Sequence, residues 1–297
     1  TYGLEMINAT EVWDQYGTQG EGVKLAVLDG GYDEDHPDLP ELDDENWQEW
    51  DNDGNPVDTD PNPGSGHGTH VSGTVAGAED PAGVDESFGV APGVDIHHGK
   101  ALDDTGSGTF TRVAAAMEWA VDEAEVDITT MSLGAPGYVA DMVEPSENAR
   151  DAGVVLVASA GNSGDGVSGS PGNVYPNFAS GAVDENYDVA GFSSGEEITT
   201  STAFPGAPDY WPDEYIVPDA AAPGVDVLSS VPGGDYSDAY SGTSMSAPHK
   251  AGTFALMLSA AGGDADRETL RDAMMDTAWK PDDWDVPDDE KDTRYGY

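Results

Sequence analysis

The chain has 297 residues, of which 59 are Asp or Glu and 10 are Lys or Arg, so its formal net charge at pH 7 is −49. It contains no cysteine, which excludes a disulfide framework, thiolate catalysis and a Cys-based zinc site. A polyanion binds nucleic acid and anionic membranes poorly, and no apolar run is long enough to cross a bilayer. We therefore expect neither nucleic acid nor a membrane among its partners.

The acidic excess predicts adaptation to a high-salt environment. Repulsion among like charges destabilises a compact chain in dilute buffer, because the Debye length is about 30 Å at 0.01 M ionic strength and about 3 Å at 1 M. Acidic composition is also typical of disordered chains and of calcium-binding proteins. Seven Trp and twelve Tyr argue against disorder, and calcium would account for only some of the carboxylates.

Short apolar runs alternate with helical patterns, which is typical of an α/β fold with a parallel sheet and helical crossovers. A chain of this length can form a single domain over residues 1–297. Strands are predicted at residues 23–28, 94–97, 126–131, 154–158 and 225–228. Residues 40–65 and 281–292 are rich in Asp, Pro and Gly and predict surface loops.

The predicted helices lie between these strands. Apolar residues recur at helical spacing over about 109–124, which predicts an amphipathic helix. A second helix is predicted over about 139–152, where Pro145 should kink it or end its first part. Two further helices should follow Gly66 and Gly242, where small residues are succeeded by apolar ones.

Four polar residues stand where an open α/β sheet usually places its site, at strand ends and at the starts of the following helices. Asp29 closes the first apolar run. His67 opens a helix in the motif GHGTHVSG, and Ser244 opens another in SGTSMSAPH. Asn162 follows a strand in the motif SAGNSG.

Taken singly, these residues also have ordinary structural roles. An Asp after a strand often forms a turn, and a Ser at a helix start is usually an N-cap. His67 and His70 have i, i+3 spacing rather than the i, i+4 spacing of a helical zinc site. The joint occurrence of the four motifs is what predicts nucleophilic catalysis.

In the order Asp, His, Ser, these motifs resemble those of the subtilase family. With its acidic composition, the chain is similar to the extracellular halolysin-type subtilases of extreme halophiles. The resemblance covers residues 23 to about 256 and implies a three-layer subtilisin-like fold, with a mostly parallel central sheet flanked by helices. It also implies a secreted serine endopeptidase of broad specificity, acting on proteins and peptides at high salt.

The resemblance further implies a role for each residue. His67 would hydrogen-bond Ser244, accept its proton and later protonate the leaving amine. Asp29 would fix the tautomer of His67 and stabilise the imidazolium. The side-chain amide of Asn162, together with the backbone N–H of Ser244, would bind the oxyanion of the tetrahedral intermediate.

Substrate-binding residues are implied in the same way. Gly106-Ser107-Gly108 and Ser132-Leu133-Gly134 resemble the two extended segments that flank a bound peptide and pair with it as an antiparallel strand. Gly169 matches the base of the primary pocket, where a small residue leaves room for a large apolar side chain. The following segment, Ser170-Pro171-Gly172, departs from the Tyr-Pro-Ala usual in the family.

The resemblance implies structural calcium and no organic cofactor. Asp38 matches a calcium ligand of the family. Its partner loop, residues 80–87, would supply further ligands from Asp80, Ala82 and Val84.

A second calcium site is predicted from the motif DNDGN, in which Asp51 and Asp53 offer the hard oxygen ligands that calcium prefers. Pro56 occupies the sixth position, where an EF-hand requires Gly, so this is no EF-hand. A solvated acidic loop is the alternative interpretation.

Two features depart from the family pattern. Lys250 stands early on the predicted nucleophile helix, where an apolar residue is usual, and about twenty residues between 192 and 217 form an insertion.

The sequence leaves two alternative functions open. Residues 191–195 (GFSSG) match the nucleophile motif of α/β-hydrolases, with Ser193 as the nucleophile, but that motif needs a strand before it and a helix after it. A catalytically silent subtilase-like binding or scaffold protein is the non-enzymatic alternative.

The ends of the chain give two further expectations. It begins at Thr1 without an initiator Met or an apolar leader, as expected if a signal and a pro-segment had been removed. The pro-segment would be a folding partner and inhibitor. At Tyr297 the chain stops before the family's last helix and any C-terminal extension.

Overall fold

An eight-stranded sheet lies at the centre of the protein, and a computed structural model describes residues 1–282 and 284–297. The strands are β1 (Lys24–Asp29), β2 (Trp47–Trp50), β3 (Pro56–Val57), β4 (Asp95–Lys100), β5 (Ile128–Met131), β6 (Ala135–Pro136), β7 (Val155–Ser159), β8 (Gly169–Ser170), β9 (Phe178–Val183), β10 (Glu196–Thr199), β11 (Glu214–Val217), β12 (Ala220–Pro223), β13 (Val227–Val231) and β14 (Asp235–Tyr240). The central sheet has the order β12-β9-β7-β5-β1-β4-β2-β3. Its pairs are parallel except the last, β2 with β3.

Helices cover both faces of this sheet. They are α1 (Tyr2–Met6), α2 (Ala9–Tyr16), α3 (His67–Ala76), α4 (Phe110–Asp122), α5 (Val143–Asp151), α6 (Thr200–Ala203), α7 (Thr243–Ala260) and α8 (Arg267–Asp276), with a 3₁₀ turn at Ala140–Met142. Strand β1 shows why two helical layers form. Its alternate residues Leu25 and Val27 pack with α3 and α7, whereas Ala26 and Leu28 pack with α4 and α5, because successive side chains point to opposite faces.

The predicted α/β fold with a mostly parallel sheet is confirmed, and its parallel topology brings the ends of β1, β5 and β7 to one edge. Helices α3 and α7 begin at this edge, directly after Gly66 and Gly242. No helix in the described part of the chain combines the length and apolar character needed to cross a bilayer.

Two sequence-based expectations about loops and strands are wrong in detail. Residues 40–65 contain strand β2, whose Trp47 and Trp50 are buried; two aromatic residues in an Asp-rich segment gave no clear period-two pattern. The strand expected at 225–228 begins at Val227 and pairs with β14 outside the central sheet. The edge position of that sheet is occupied by β12 instead.

Pro145 neither kinks nor ends its helix. It lies in the first turn of α5, which runs from Val143 to Asp151. The first N–H groups of a helix have no intrahelical acceptor, so a proline there removes no hydrogen bond. The residues before it form the 3₁₀ turn that the longer predicted helix had included.

Candidate active site

Asp29 is the last residue of β1 and is fully buried at the edge where the parallel strands end. Its Oδ1 accepts hydrogen bonds from the backbone N–H of Gly30 and from Nδ1 of His67, both at 2.7 Å. Its Oδ2 is buried without a hydrogen-bond partner among the described residues. The carboxylate is thus held behind the imidazole, away from solvent.

His67 is the first residue of α3 and follows Gly66, whose φ of +79° favours glycine. Burial alone would lower the pKa of His67, but the charge of Asp29 and the hydrogen bond from Nδ1 outweigh it and raise that pKa. Since Nδ1 is hydrogen-bonded to a carboxylate, the neutral ring keeps its proton there. Nε2 is then available as a base.

Ser244 lies in the first turn of α7. Its hydroxyl donates to the backbone oxygen of Ser132 at 3.1 Å, and the Ser132 hydroxyl donates to the backbone oxygen of Ser244 at 2.6 Å. The sequence predicted a hydrogen bond from Ser244 to His67, and among the described residues none joins them. The backbone oxygen of Ser132 is the acceptor instead, and catalytic hydrogen bonds often form only when substrate is bound.

Asn162 is oriented by α7. Its Oδ1 accepts from the backbone N–H of Thr243 at 2.9 Å and from the Thr243 hydroxyl at 3.0 Å. The amide nitrogen Nδ2 is therefore the end of the side chain that remains for other partners. Thr243 is a residue that sequence reasoning missed, because no local pattern indicates a contact with a residue 81 positions earlier.

One groove of about 790 Å³ brings most of the predicted residues together. It is lined by His67, Asn162, Ser244, Gly106, Ser107, Gly108, Ser132, Leu133, Gly134 and Gly169. Asp29 lies behind this surface, in contact with His67. The two segments expected to flank a peptide thus lie on the same groove as the expected nucleophile.

Gly169 is required by close packing at the floor of the groove. It belongs to β8, which pairs with β6, and a Cβ atom at this position would lie 2.8 Å from the backbone oxygen of Ala135. Any side chain here would collide with that strand. Gly169 also lines the groove, as do Ser159 and Gly161.

The first calcium prediction concerns Asp38 and the loop expected to complete its site, which lie side by side. Asp38 lies beside the 80–87 loop, and its carboxylate oxygens accept from the backbone N–H of Ala82 at 2.9 and 3.1 Å and from the hydroxyl of Tyr236. Both carboxylate oxygens of Asp38 are thus occupied by hydrogen bonds from protein groups. In the described chain, Asp38 and Asp80 belong to no group of three or more His, Asp or Glu side chains that could hold a metal ion.

The second calcium prediction falls on a turn in which the carboxylate of Asp51 accepts hydrogen bonds from residues of the same turn. Asp51 accepts from the backbone N–H groups of Asp53 and Asn55 and from the side-chain amide of Asn55. Those hydrogen bonds lower the pKa of Asp51, and the one from the Asn55 side chain contributes most. Within the described residues, no group of three or more His, Asp or Glu side chains is arranged to hold a metal ion.

Ser193 does not occupy a nucleophile elbow. It is fully buried, and its hydroxyl accepts from the backbone N–H of Ala182 at 3.0 Å. A strand, β10, follows it instead of a helix. The α/β-hydrolase interpretation is therefore wrong.

Comparison with known proteins gives one family. The model of the subtilase family, Peptidase_S8, matches residues 20–297. The chain is 38% identical over 275 residues to an intracellular serine protease of Paenibacillus polymyxa, covering 90% of this chain and 75% of that protein.

The chain is also similar to several subtilisins. It is 38% identical over 266 residues to subtilisin E of Bacillus subtilis (strain 168), covering 87% of this chain and 61% of that protein. It is 35% identical over 257 residues to subtilisin Savinase of Lederbergia lenta, covering 86% and 83%. The chain thus spans about three fifths of the length of subtilisin E.

Proposed function

Because the chain belongs to the subtilase family and is a subtilisin-like serine endopeptidase, we propose that it hydrolyses peptide bonds through an acyl-enzyme formed on Ser244, with His67 and Asp29 completing the triad. The observation that supports this most directly is the 2.7 Å hydrogen bond between His67 and the buried Asp29, on a groove that Ser244 also lines.

The mechanism requires Ser244 to change its hydrogen-bond acceptor. In the free protein its hydroxyl donates to the backbone oxygen of Ser132. A peptide that pairs with residues 132–134 presents its own N–H to such carbonyl groups. Competition for the Ser132 oxygen would release the Ser244 hydroxyl. That hydroxyl can then give its proton to Nε2 of His67 as Oγ of Ser244 attacks the carbonyl carbon of the substrate.

Charge that develops on the substrate oxygen needs donors already in place. Nδ2 of Asn162 is one, since its Oδ1 is occupied by Thr243. The backbone N–H of Ser244 is the second, because an N–H in the first turn of α7 has no intrahelical acceptor. His67 then donates its proton to the leaving amine, and water repeats the sequence to release the acyl group.

We propose a broad specificity with a preference for a large apolar residue before the cut. Backbone pairing with residues 106–108 and 132–134 is independent of sequence. The preference for an apolar residue rests on the resemblance of Gly169, which lines the groove, to the base of the family's primary pocket. Mass spectrometry of products from a peptide library measures this directly, and cleavage confined to charged residues would contradict it.

The experiment that tests the triad is labelling with a fluorophosphonate probe at high KCl, on the wild type and on two serine variants. Ser244→Ala should abolish both labelling and peptide hydrolysis. Ser193→Ala is the matched control and should retain both, because Ser193 is fully buried and does not line the groove. A wild-type protein that hydrolyses nothing and is not labelled would instead support the silent scaffold.

Secretion, a high-salt habitat and an inhibitory pro-segment are proposed from the resemblance and from the net charge of −49. They would be tested by fractionating a culture and by adding the separately expressed pro-segment to the active enzyme. Structural calcium is proposed from the resemblance alone, because no group of acidic or His side chains in the described chain is arranged to hold a metal ion. Unchanged thermal stability in chelator at constant KCl would contradict calcium binding.

A further inference from the structure

A second cavity, of about 290 Å³, lies apart from the substrate groove and shares no lining residue with it. It is open to solvent on one side and lined by the turn between α1 and α2, strand β12, helix α7 and the segment after α8. Its walls are mainly apolar and aromatic, and they include Met6, Ile7, Tyr187, Met274, Trp279 and Tyr297. The rings of Tyr187 and Trp279 lie 4.9 Å apart between centroids and form one side.

Lys250 lines this cavity from α7, and its side chain is only 8% exposed. Its amine lies 4.0 Å from the sulfur of Met274, and no oxygen atom of the described chain accepts a hydrogen bond from it. The other nine Lys and Arg side chains each donate to at least one oxygen. Lys250 is thus an exception among the basic residues of the described chain.

A buried cation without an acceptor is costly, and proteins normally pair such groups. Burial lowers the pKa of Lys250 to about 8, so the amine is still mostly protonated near neutral pH. The titratable side chains on the cavity wall other than Lys250 are Tyr187, Tyr295 and Tyr297, and no Asp or Glu side chain lines it within the described residues. On α7 itself, the neighbouring His249 donates to the backbone oxygen of Met245.

We propose that this cavity is a binding site for a small organic carboxylate with an apolar or aromatic body, whose carboxylate pairs with the amine of Lys250. The apolar walls select against a bare inorganic ion, which would lose its hydration there without enough donors to replace it. An aromatic or branched body would fill the remaining space and contact Trp279 and Met274. A peptide product that ends in an apolar residue has the same combination of groups.

The test is calorimetric titration of the full chain with 3-phenylpropionate, at constant KCl and about pH 7, with 3-phenylpropanamide as the neutral isostere. We expect saturable binding of the acid and binding of the amide weaker by about ten-fold or more, since a hydrogen bond between charged groups contributes on that order. Tryptophan fluorescence gives a second readout because Trp279 lies on the wall.

Lys250→Met keeps the length of the stem and removes the charge, so it should fold and lose the preference for the acid. In the wild type, affinity should fall as pH rises above about 8, by about ten-fold per pH unit, because only the protonated amine binds the anion. This pH dependence should be absent in Lys250→Met.

Three results with the wild type would each overturn the proposal, even if the variant failed to fold. They are equal binding of acid and amide, an affinity independent of pH, and no saturable binding at all. Peptide hydrolysis should be unaffected by Lys250→Met, so the triad is tested separately.

Discussion

Asn162 gives the sharpest prediction at the scale of single residues. Its oxygen is held by Thr243, so removal of its amide should affect the transition state and not substrate binding. We expect Asn162→Ala to lower kcat about 10²–10³-fold with little change in KM, the magnitude measured for an oxyanion donor in subtilisin. Asn162→Asp, which keeps the acceptor but replaces the donor with a negative charge, should lose at least as much.

Steady-state kinetics on a peptide substrate at high KCl measures both parameters. Thr243→Ser is the matched control, because it retains the two groups that donate to Asn162. A kcat of Asn162→Asp within a few-fold of the wild type would contradict an oxyanion role.

The second residue-scale prediction concerns the pH dependence of activity. His67 must be neutral to act as a base, and its raised pKa means that kcat/KM should increase with pH and reach half its plateau above the ordinary histidine value of about 6.5. Asp29→Asn removes the charge that raises the pKa, so the midpoint should move to lower pH. The plateau should fall by about 10⁴-fold, because an amide supports the wrong tautomer.

This profile is measured as kcat/KM against pH at constant ionic strength. A midpoint that is unchanged or higher in Asp29→Asn would show that another group controls the acid limb.

At the scale of elements, the hairpin formed by β10 and β11 is anchored by aromatic residues. Trp211 is 6% exposed, packs edge-on against Phe204 and donates from Nε1 to Glu147 of α5 at 2.7 Å. We expect Trp211→Ala to lower the free energy of unfolding by about 3–5 kcal/mol, as for other buried aromatic truncations. Trp211→Phe keeps a ring in the cluster but loses the hydrogen bond to Glu147 and part of the buried ring, so it should cost less than Trp211→Ala.

Urea unfolding at high KCl, in a Ser244→Ala background to limit autolysis, measures these differences. Equal midpoints for the wild type and Trp211→Ala would mean that the hairpin is not part of the cooperative unit.

The sequence predicted the elements that combine a clear apolar pattern with a polar motif at the end. Strand β1 and the start of α3 were found because Asp29 and His67 stand at such positions. Strand β2 was missed because its buried residues, Trp47 and Trp50, are separated by two partly exposed ones. The contact between Asn162 and Thr243 was missed for another reason: it depends on how two distant loops meet, and no local spacing encodes that.

At the scale of the whole molecule, the exposed surface is more strongly acidic than the composition of the chain alone implies. All ten Lys and Arg residues are buried or half-buried in the described chain, so the exposed charged side chains are acidic. Mutual repulsion among them extends far at low ionic strength and is screened at high salt. We therefore predict that the temperature of thermal unfolding rises steadily from low to molar KCl with calcium held constant.

Subtilisin E, measured in the same salt series, is a suitable control, and a smaller dependence is expected for it if its surface carries charges of both signs. A transition temperature of the present protein that stays level or falls with added KCl would contradict salt adaptation.

The recessed position of every Lys and Arg has a consequence for handling the enzyme. A trypsin-like protease needs a basic side chain on a flexible, accessible segment, and the folded chain offers none of its ten basic residues in full exposure. Digestion by such a protease should therefore follow global or local opening, and the rate of nicking becomes a measure of how often the native state opens. Amine-directed dyes and resins would meet the same obstacle.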